Sequence, residues 1–189
     1  GSHQIWMYDL DSGIVQAVVG TGAEGIVDGI PEEALLAQPS GIDADEDGAL
    51  FVADSETSAI RQIDLITNHE VATLVGAGLF EFGDVDGDLS AARMQHPLGV
   101  DEDGGILYVA DTYNNKIKVL SLDSLDVFTL AGDGNPRLLD GTNKYSSFYE
   151  PSGLTVINNK IYVADTNNHA IRIIDLASGQ VDTMNLHLN

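Results

Sequence analysis

Pro39-Ser40-Gly41, Val52-Ala53-Asp54 and Ile60-Arg61 make a phrase that returns twice. It returns as Pro97-Leu98-Gly99, Val109-Ala110-Asp111 and Ile117-Lys118, and then as Pro151-Ser152-Gly153, Val163-Ala164-Asp165 and Ile171-Arg172. Its tail alone stands at Ser2-His3-Gln4-Ile5-Trp6. Successive prolines lie 58 and 54 residues apart, the length of one supersecondary unit that buries its apolar faces by stacking on copies of itself. The internal spacing is fixed: each Asp precedes the next Ile by six positions, and an Asp-Gly (Asp28, Asp86, Asp140) stands eleven positions before each Pro. A Gly-x-Gly follows an apolar run at Gly20, Gly76 and Gly132. Insertions fall only between that Gly-x-Gly and the Asp-Gly, where a loop absorbs length.

Each repeat divides into four short apolar segments; in the second full copy these are Gly99–Asp101, Ile106–Ala110, Lys116–Ser121 and Asp126–Ala131. Short runs of Val, Ile, Leu and Tyr bounded by Gly, Asp and Asn read as strands, and no helical period competes with them. Only Glu32–Ala37 and Leu89–Met94 have the makings of a helical turn. Asp47-Gly48, Asp103-Gly104 and Asn158-Asn159 suit tight hairpins, because Gly and Asn accept positive φ. Asp64 to Asn68 and Asp175 to Gly179 suit the hairpin between the last two strands. Four antiparallel strands and a long return to the next Pro-x-Gly describe a propeller blade, with Gly41, Gly99 and Gly153 on the crowded inner strand. The reading is an all-β partial β-propeller of about three and a half four-stranded blades: residues 1–38 a half blade and its connection, then blades at 39–96, 97–150 and 151–189. Recurrence in every blade gives Asp54, Asp111 and Asp165 a structural part, as acceptors for backbone N–H groups in the turn that follows them.

These marks resemble the NHL repeat, named for an Asn-His-Leu triplet. Asn168-His169-Ala170 stands at the triplet position, and Asn114-Asn115-Lys116 and Thr57-Ser58-Ala59 are degenerate copies. The Gly-x-Gly, Asp-Gly and Pro-x-Gly marks match as well. The wording of Phe82-Gly83-Asp84-Val85-Asp86-Gly87 and His96-Pro97-Leu98-Gly99-Val100 is similar to the branch of the family that joins its propeller to a thioredoxin-like domain. The resemblance implies a six-bladed ring, of which this chain would be a fragment, and a role as a protein-interaction or scaffold module. It also implies a competing class, since some such propellers are lyases or lactonases with a metal on the central axis. The blade starts here, Ser40-Gly41, Leu98-Gly99 and Ser152-Gly153, are too alike to supply the unlike ligands such a centre needs. An enzyme or metal-binding propeller would therefore have its site completed by other blades or domains.

Composition sets further bounds. The 189 residues carry 30 acidic and eight basic side chains, a formal charge of −22, with 43% hydrophobic residues and no cysteine. A field of that sign repels phosphate backbones and anionic membrane surfaces, which argues against nucleic acid and membrane as partners. No apolar run approaches a membrane span. Without Cys there is no disulfide, thiolate metal site or Cys nucleophile, and no redox motif to carry over from a thioredoxin-like relative. The expectation is a soluble chain with no resident cofactor; the compartment is not fixed, with the cytoplasm as default. Gly1-Ser2-His3 fits the repeat but also reads as a cloning scar.

Two loops carry the remaining chemistry. Asp43-Ala44-Asp45-Glu46-Asp47-Gly48 reads first as a solvated acidic hairpin; the competing reading is a calcium loop ligated by Asp43, Asp45 and Asp47. Ala49, Leu50 and Phe51 do not supply the further acid such a hairpin loop needs. The acidic loops with Asp28, with Asp84, Asp86 and Asp88, and with Asp140 are equivalent between blades, so they share one face, the expected partner face. Open blade flanks offer a second route, self-association. His3 and His169 hold one repeat position, which suggests a shared hydrogen bond, while His69, His96 and His187 show no ligand spacing. Trp6 stands where Arg61, Lys118 and Arg172 stand; it reads first as packing on an outer strand, with a partner contact as the competing reading.

Overall fold

A computed structural model describes residues 2–185; His187 and its neighbours at 186–189 lie outside the described residues. The chain forms antiparallel sheets, one per repeat, as an all-β partial propeller. The first sheet is the hairpin β1 (Ile5–Tyr8) and β2 (Val15–Val19). The second runs β3 (Pro39–Ala44), β4 (Ala49–Asp54), β5 (Ala59–Asp64) and β6 (Glu70–Val75) in simple order. The two-residue strand β7 (Gly87–Asp88) edges the third sheet, joining β8 (Gly99–Asp103), β9 (Ile106–Asp111), β10 (Lys116–Ser121) and β11 (Asp126–Ala131). The last sheet repeats that plan with β12 (Gly141–Thr142), β13 (Pro151–Ile157), β14 (Lys160–Asp165), β15 (Ala170–Asp175) and β16 (Gln180–Thr183). Among the described residues no helix is long and apolar enough to cross a membrane.

The strands follow the sequence closely, and the turns show why. Asn158 and Asn159 both take positive φ (51° and 62°), the primed geometry that matches strand twist. In the first hairpin of the third sheet, between β8 and β9, the positive-φ pair is Gly104 and Gly105, one place beyond the expected Asp103-Gly104, because two glycines take the pair without strain. The helical makings of the connections come to single turns only: Ala34 N–H reaches Ile30 O, and Ala92 N–H reaches Asp88 O.

The cores lie between sheets rather than within them. Val19 packs with Leu36, Val52, Ile63 and Val71 between the first two sheets. Phe51, Ala53 and Ile60 meet Val100, Leu107 and Leu120 at the next joint, with Met94 from the connection sealing it. Ala110, Ile117 and Val119 meet Ile161, Val163 and Ile174 at the third, sealed by Phe148.

Polar bonds repeat across the same joints. Ser55 and Thr112 donate to the carbonyls of Pro97 and Pro151 at 2.9 and 2.8 Å. The residue before each Pro, in a left-handed conformation, gives its N–H to a side chain of the preceding blade: Gln38 to His3 Nδ1, His96 to Ser58 Oγ and Glu150 to Asn115 Oδ1. His3 thus makes the bond that its repeat position suggested, and His169 shares its left-handed backbone. Trp6 differs from expectation: it is 53% exposed, because the strand face it shares with Tyr8 and Val15 has no sheet against it among the described residues.

The inner glycines report the tightness of these joints. A Cβ on Gly41 would lie 2.6 Å from Leu98 O, and one on Gly99 would collide with Ser152 O, whereas one on Gly153 would meet nothing within 4 Å. Gly99→Ala is therefore expected to lower unfolding stability by about 1–3 kcal/mol through overpacking. Gly153→Ala should leave it unchanged or raise it by about 0.4–1 kcal/mol through loss of chain entropy. Denaturant melts of both variants check this; equal losses at the two sites would remove the steric account of the joint.

Candidate functional site

Each full blade holds one cation, 0% exposed, at the position after the Ile of the repeated phrase: Arg61, Lys118 and Arg172. Three of only eight basic residues sit there. The register slips one residue just before Trp6, Arg61 and Lys118, and a bulge at that step re-aims the side chain. Arg61 uses one nitrogen for Asp54 Oδ2 and Leu35 O, both at 3.0 Å, and the other for Asp28 Oδ1 at 2.8 Å and Val27 O at 3.2 Å. Arg172 repeats this with Asp165, Ser147 O, Asp140 and Leu139 O, and lies 5.0 Å over the Phe148 ring. The planar guanidinium fork thus ties the strand-ending Asp to the connection that arrives from the previous blade. In both arginines Nε is buried without a partner, a cost the other bonds offset.

The second carboxylate oxygen shows where the sequence reading of the strand-ending Asp needs correcting. Asp54, Asp111 and Asp165 accept the N–H groups of Ala37, Gln95 and Tyr149. Those residues lie in the connection before each Pro, not in the turn after the Asp. The 3-10 turns that follow have their first N–H groups uncapped by the Asp side chain, because the buried acid points back across the sheet toward the connection. Burial pushes Asp54 above its ordinary range, outweighing the Ala37 N–H bond and the Arg61 charge.

Blade two carries a different version. Lys118 Nζ reaches Asp86 at 2.6 Å and Asp84 at 2.9 Å but stops 3.9 Å from Asp111. Lys116 pairs with Asp84 as well. Asp111 Oδ2 takes its bond from Asn114 instead, whose amide also reaches Gly83 O. Burial pushes Asp111 up to about 7 against its Gln95, Asn114 and Lys118 partners. Burial also raises Asp86, but the Lys118 and Thr129 bonds outweigh it and leave Asp86 below its ordinary value.

The expected partner-face acids fall into this frame. Asp28, Asp86 and Asp140 are the outer acids of the three clamps, and each also binds the Thr (73, 129 or 183) on the outer strand. Asp84 joins the Lys118 cluster, and Asp88 closes a local turn through Ser90 and Ala91. The residues just before the outer acids, Val27, Val85 and Leu139, are 40–46% exposed, and Phe80 in the longest connection is 88% exposed. Sequence reasoning saw the acids but missed the cations; their recurrence at one repeat position was the available signal.

The acidic hairpin divides its carboxylates among separate tasks. Asp43 Oδ2 accepts Glu102 N–H from the next blade at 2.7 Å, as Asp101 does from Val156. Asp45 closes its own turn through the N–H groups of Asp47 and Ala49. A groove of about 570 Å³ separates this hairpin, with Asp45 and Asp47, from Glu102 and Asp103 of the next. Among the described residues no group of three or more His, Asp or Glu is arranged to hold a metal ion.

The NHL repeat model matches residues 36–63 and 148–174. The chain is 42% identical to NHL repeat-containing protein 2 of Bos taurus, over 96% of its own length and 28% of that protein. It is also 42% identical to Protein SUPPRESSOR OF QUENCHING 1, chloroplastic, of Arabidopsis thaliana, over 95% of its length and 18% of that protein. A solved structure of a Bacteroides thetaiotaomicron protein of unknown function superposes with a TM-score of 0.74 at 18% identity, covering 91% of this chain and 42% of that one. The chain therefore spans less than a third of the curated relatives it matches.

The clamp geometry has a direct consequence. Removing the cation leaves a fully buried carboxylate facing carbonyls, which typically costs about 3–5 kcal/mol. Arg172→Met is expected to lose stability on that scale, while Lys160→Met, at an exposed site, stays within about 0.5 kcal/mol. Urea melts compare the two directly; a small loss at Arg172 would mean that Asp165 is held by Tyr149 and Asn168 alone.

Proposed function

We propose that this run of NHL repeats is a protein-docking module, and that its partner surface is the face built by the connections around residues 27–30, 79–88 and 138–145. The observation that carries the reading is the exposure of Phe80, at 88%, with Phe82 and Val85 in the same connection. Val27 and Leu139 occupy the place of Val85 in the other repeats, so apolar side chains recur along the face beside half-exposed aspartates. Contiguous apolar groups rimmed by charge are a mark of protein interaction sites. Because the outer aspartates are held by Arg61, Lys118 and Arg172, the face is ordered before any partner arrives, which lowers the entropic cost of association. The surrounding acidity of the chain favours a partner that is apolar at the centre of contact and basic at its rim. The rest of the relatives' length supplies whatever further domains the whole protein uses.

The test is a paired substitution, Phe80→Ser with Phe82→Ser, on the longest protein that contains this chain. Both side chains are exposed, so the melting temperature should stay within experimental error. Partner affinity, measured by cross-linking and then by titration with the captured protein, should fall at least about tenfold, since exposed aromatics of this kind anchor interfaces. Capture of the same partners with unchanged affinity would remove this face from consideration.

A further inference from the structure

We infer that blade two carries a proton-tightened latch: loss of charge on buried Asp111 commits Lys118 wholly to Asp84 and Asp86, and so tightens the connection that bears Phe80 and Phe82. The clamps differ first in the cation, and blade two adds Asp84 and Lys116 where the other blades have Ile26 or Leu138 and Ala59 or Ala170. In blades one and three a guanidinium spans the inner and outer acids, with ion-pair distances of 2.8–3.0 Å on both sides. A lysine has one nitrogen and cannot span them. Its ammonium therefore sits with the outer pair and leaves the inner acid at 3.9 Å. Asp111 is 0% exposed, and its two direct partners, Gln95 N–H and the Asn114 amide, are neutral. When Asp111 is ionised, the ammonium is drawn toward both sides. When it is neutral, only Asp84 and Asp86 compete for it, and both lie in the connection.

The ionisable groups around this point are few. Asp84, Asp86 and Lys116 face Lys118 from the connection and from β10. Asp133 and Lys144 lie across the adjacent groove, beside Asp86 and Lys116. Arg93, on the same connection, is turned to Glu81 and to the carbonyls of Ser90 and Ala92. Asp84 and Asp86 are held below their ordinary values, with the Lys118 bonds outweighing burial, so they stay charged while Asp111 titrates. The sign follows from linkage. Burial holds the folded-state Asp111 at about 7, above the ordinary aspartate value of 3.8, so the folded chain binds a proton that the unfolded chain does not. Stability from this group accordingly rises as pH falls through about 7 and is lost above it.

The latch bears on the docking face proposed above, but it is read on the chain alone, without a partner, so the two readings fail separately. Hydrogen exchange, corrected for intrinsic rates, is followed at about pH 6 and about pH 8.5, on either side of the transition. Amides of residues 83–88 are expected to exchange several-fold more slowly at the lower pH. The corresponding segments 27–30 and 139–142, gripped by arginine, should change little. Lys118→Arg should make 83–88 behave like those two. Equal protection at both pH values, or a response unchanged in Lys118→Arg, overturns the latch. Carbon-13 titration of the Asp111 carboxyl in the unaltered chain is the second measurement, and an Asp111 that stays ionised down to about pH 5 overturns it independently.

Discussion

One interaction sets the frame for the rest: a buried cation that ties the acid at the end of a strand to the connection arriving from the previous blade. In Arg61 and Arg172 a single side chain meets two carboxylates and two carbonyls. The connection is too irregular to satisfy its own backbone groups with a ladder, and a buried loop cannot leave them unpaired. Isolated bridges such as Val27 with Leu35 pair part of it, and the guanidinium and the strand-ending Asp add bonds to those carbonyls and to the Ala37 N–H. With the connection seated, Leu36, Met94 and Phe148 are in place to close the cores between sheets. Register slips before the cation, left-handed residues before each Pro and bare glycines on the inner strand all serve the same seating.

Much of this is legible in the sequence, and the limit is physical. Strands, hairpins and the inner glycines are local signals, written in alternation and in residues that tolerate positive φ. The shared position of His3 and His169 suggested a common hydrogen bond, and the structure extends that task to Ser58 and Asn115, which hold the same place in the other blades. The clamp was not legible. Arg61 and Asp28 are 33 residues apart, and Asp54 reaches 17 residues back to Ala37, so spacing alone gave no reason to join them. The local alternative, an Asp closing the turn that follows it, is the commoner arrangement and was the natural expectation.

The same distinction separates the two acidic regions. Read along the chain, the Asp43 hairpin is first a solvated acidic loop, with a ligand set as the competing reading. In space Asp43 belongs to the joint with the next blade and Asp45 to its own turn. The aspartates of the connections look like free surface charge, yet Asp28, Asp86 and Asp140 are half engaged, each with a cation and a threonine. What remains outward on that face is apolar as much as acidic, with Phe80, Phe82 and Val85 exposed beside the engaged aspartates.

The joints have a further consequence, in the currency of heredity rather than of stability. Ser55 and Thr112 offer a hydroxyl to the next proline carbonyl, and Ser58 and Asn115 offer an acceptor to the N–H before it, so what each side presents is chemically interchangeable. A gene that lost or duplicated one whole repeat would produce a chain whose new neighbours already fit. Thr166 and His169 keep the same places on the third blade. Copies of a repeat under such a rule can drift freely on their outer loops while their contact edges stay in a common standard, and the number of blades becomes a quantity that recombination can change in one step.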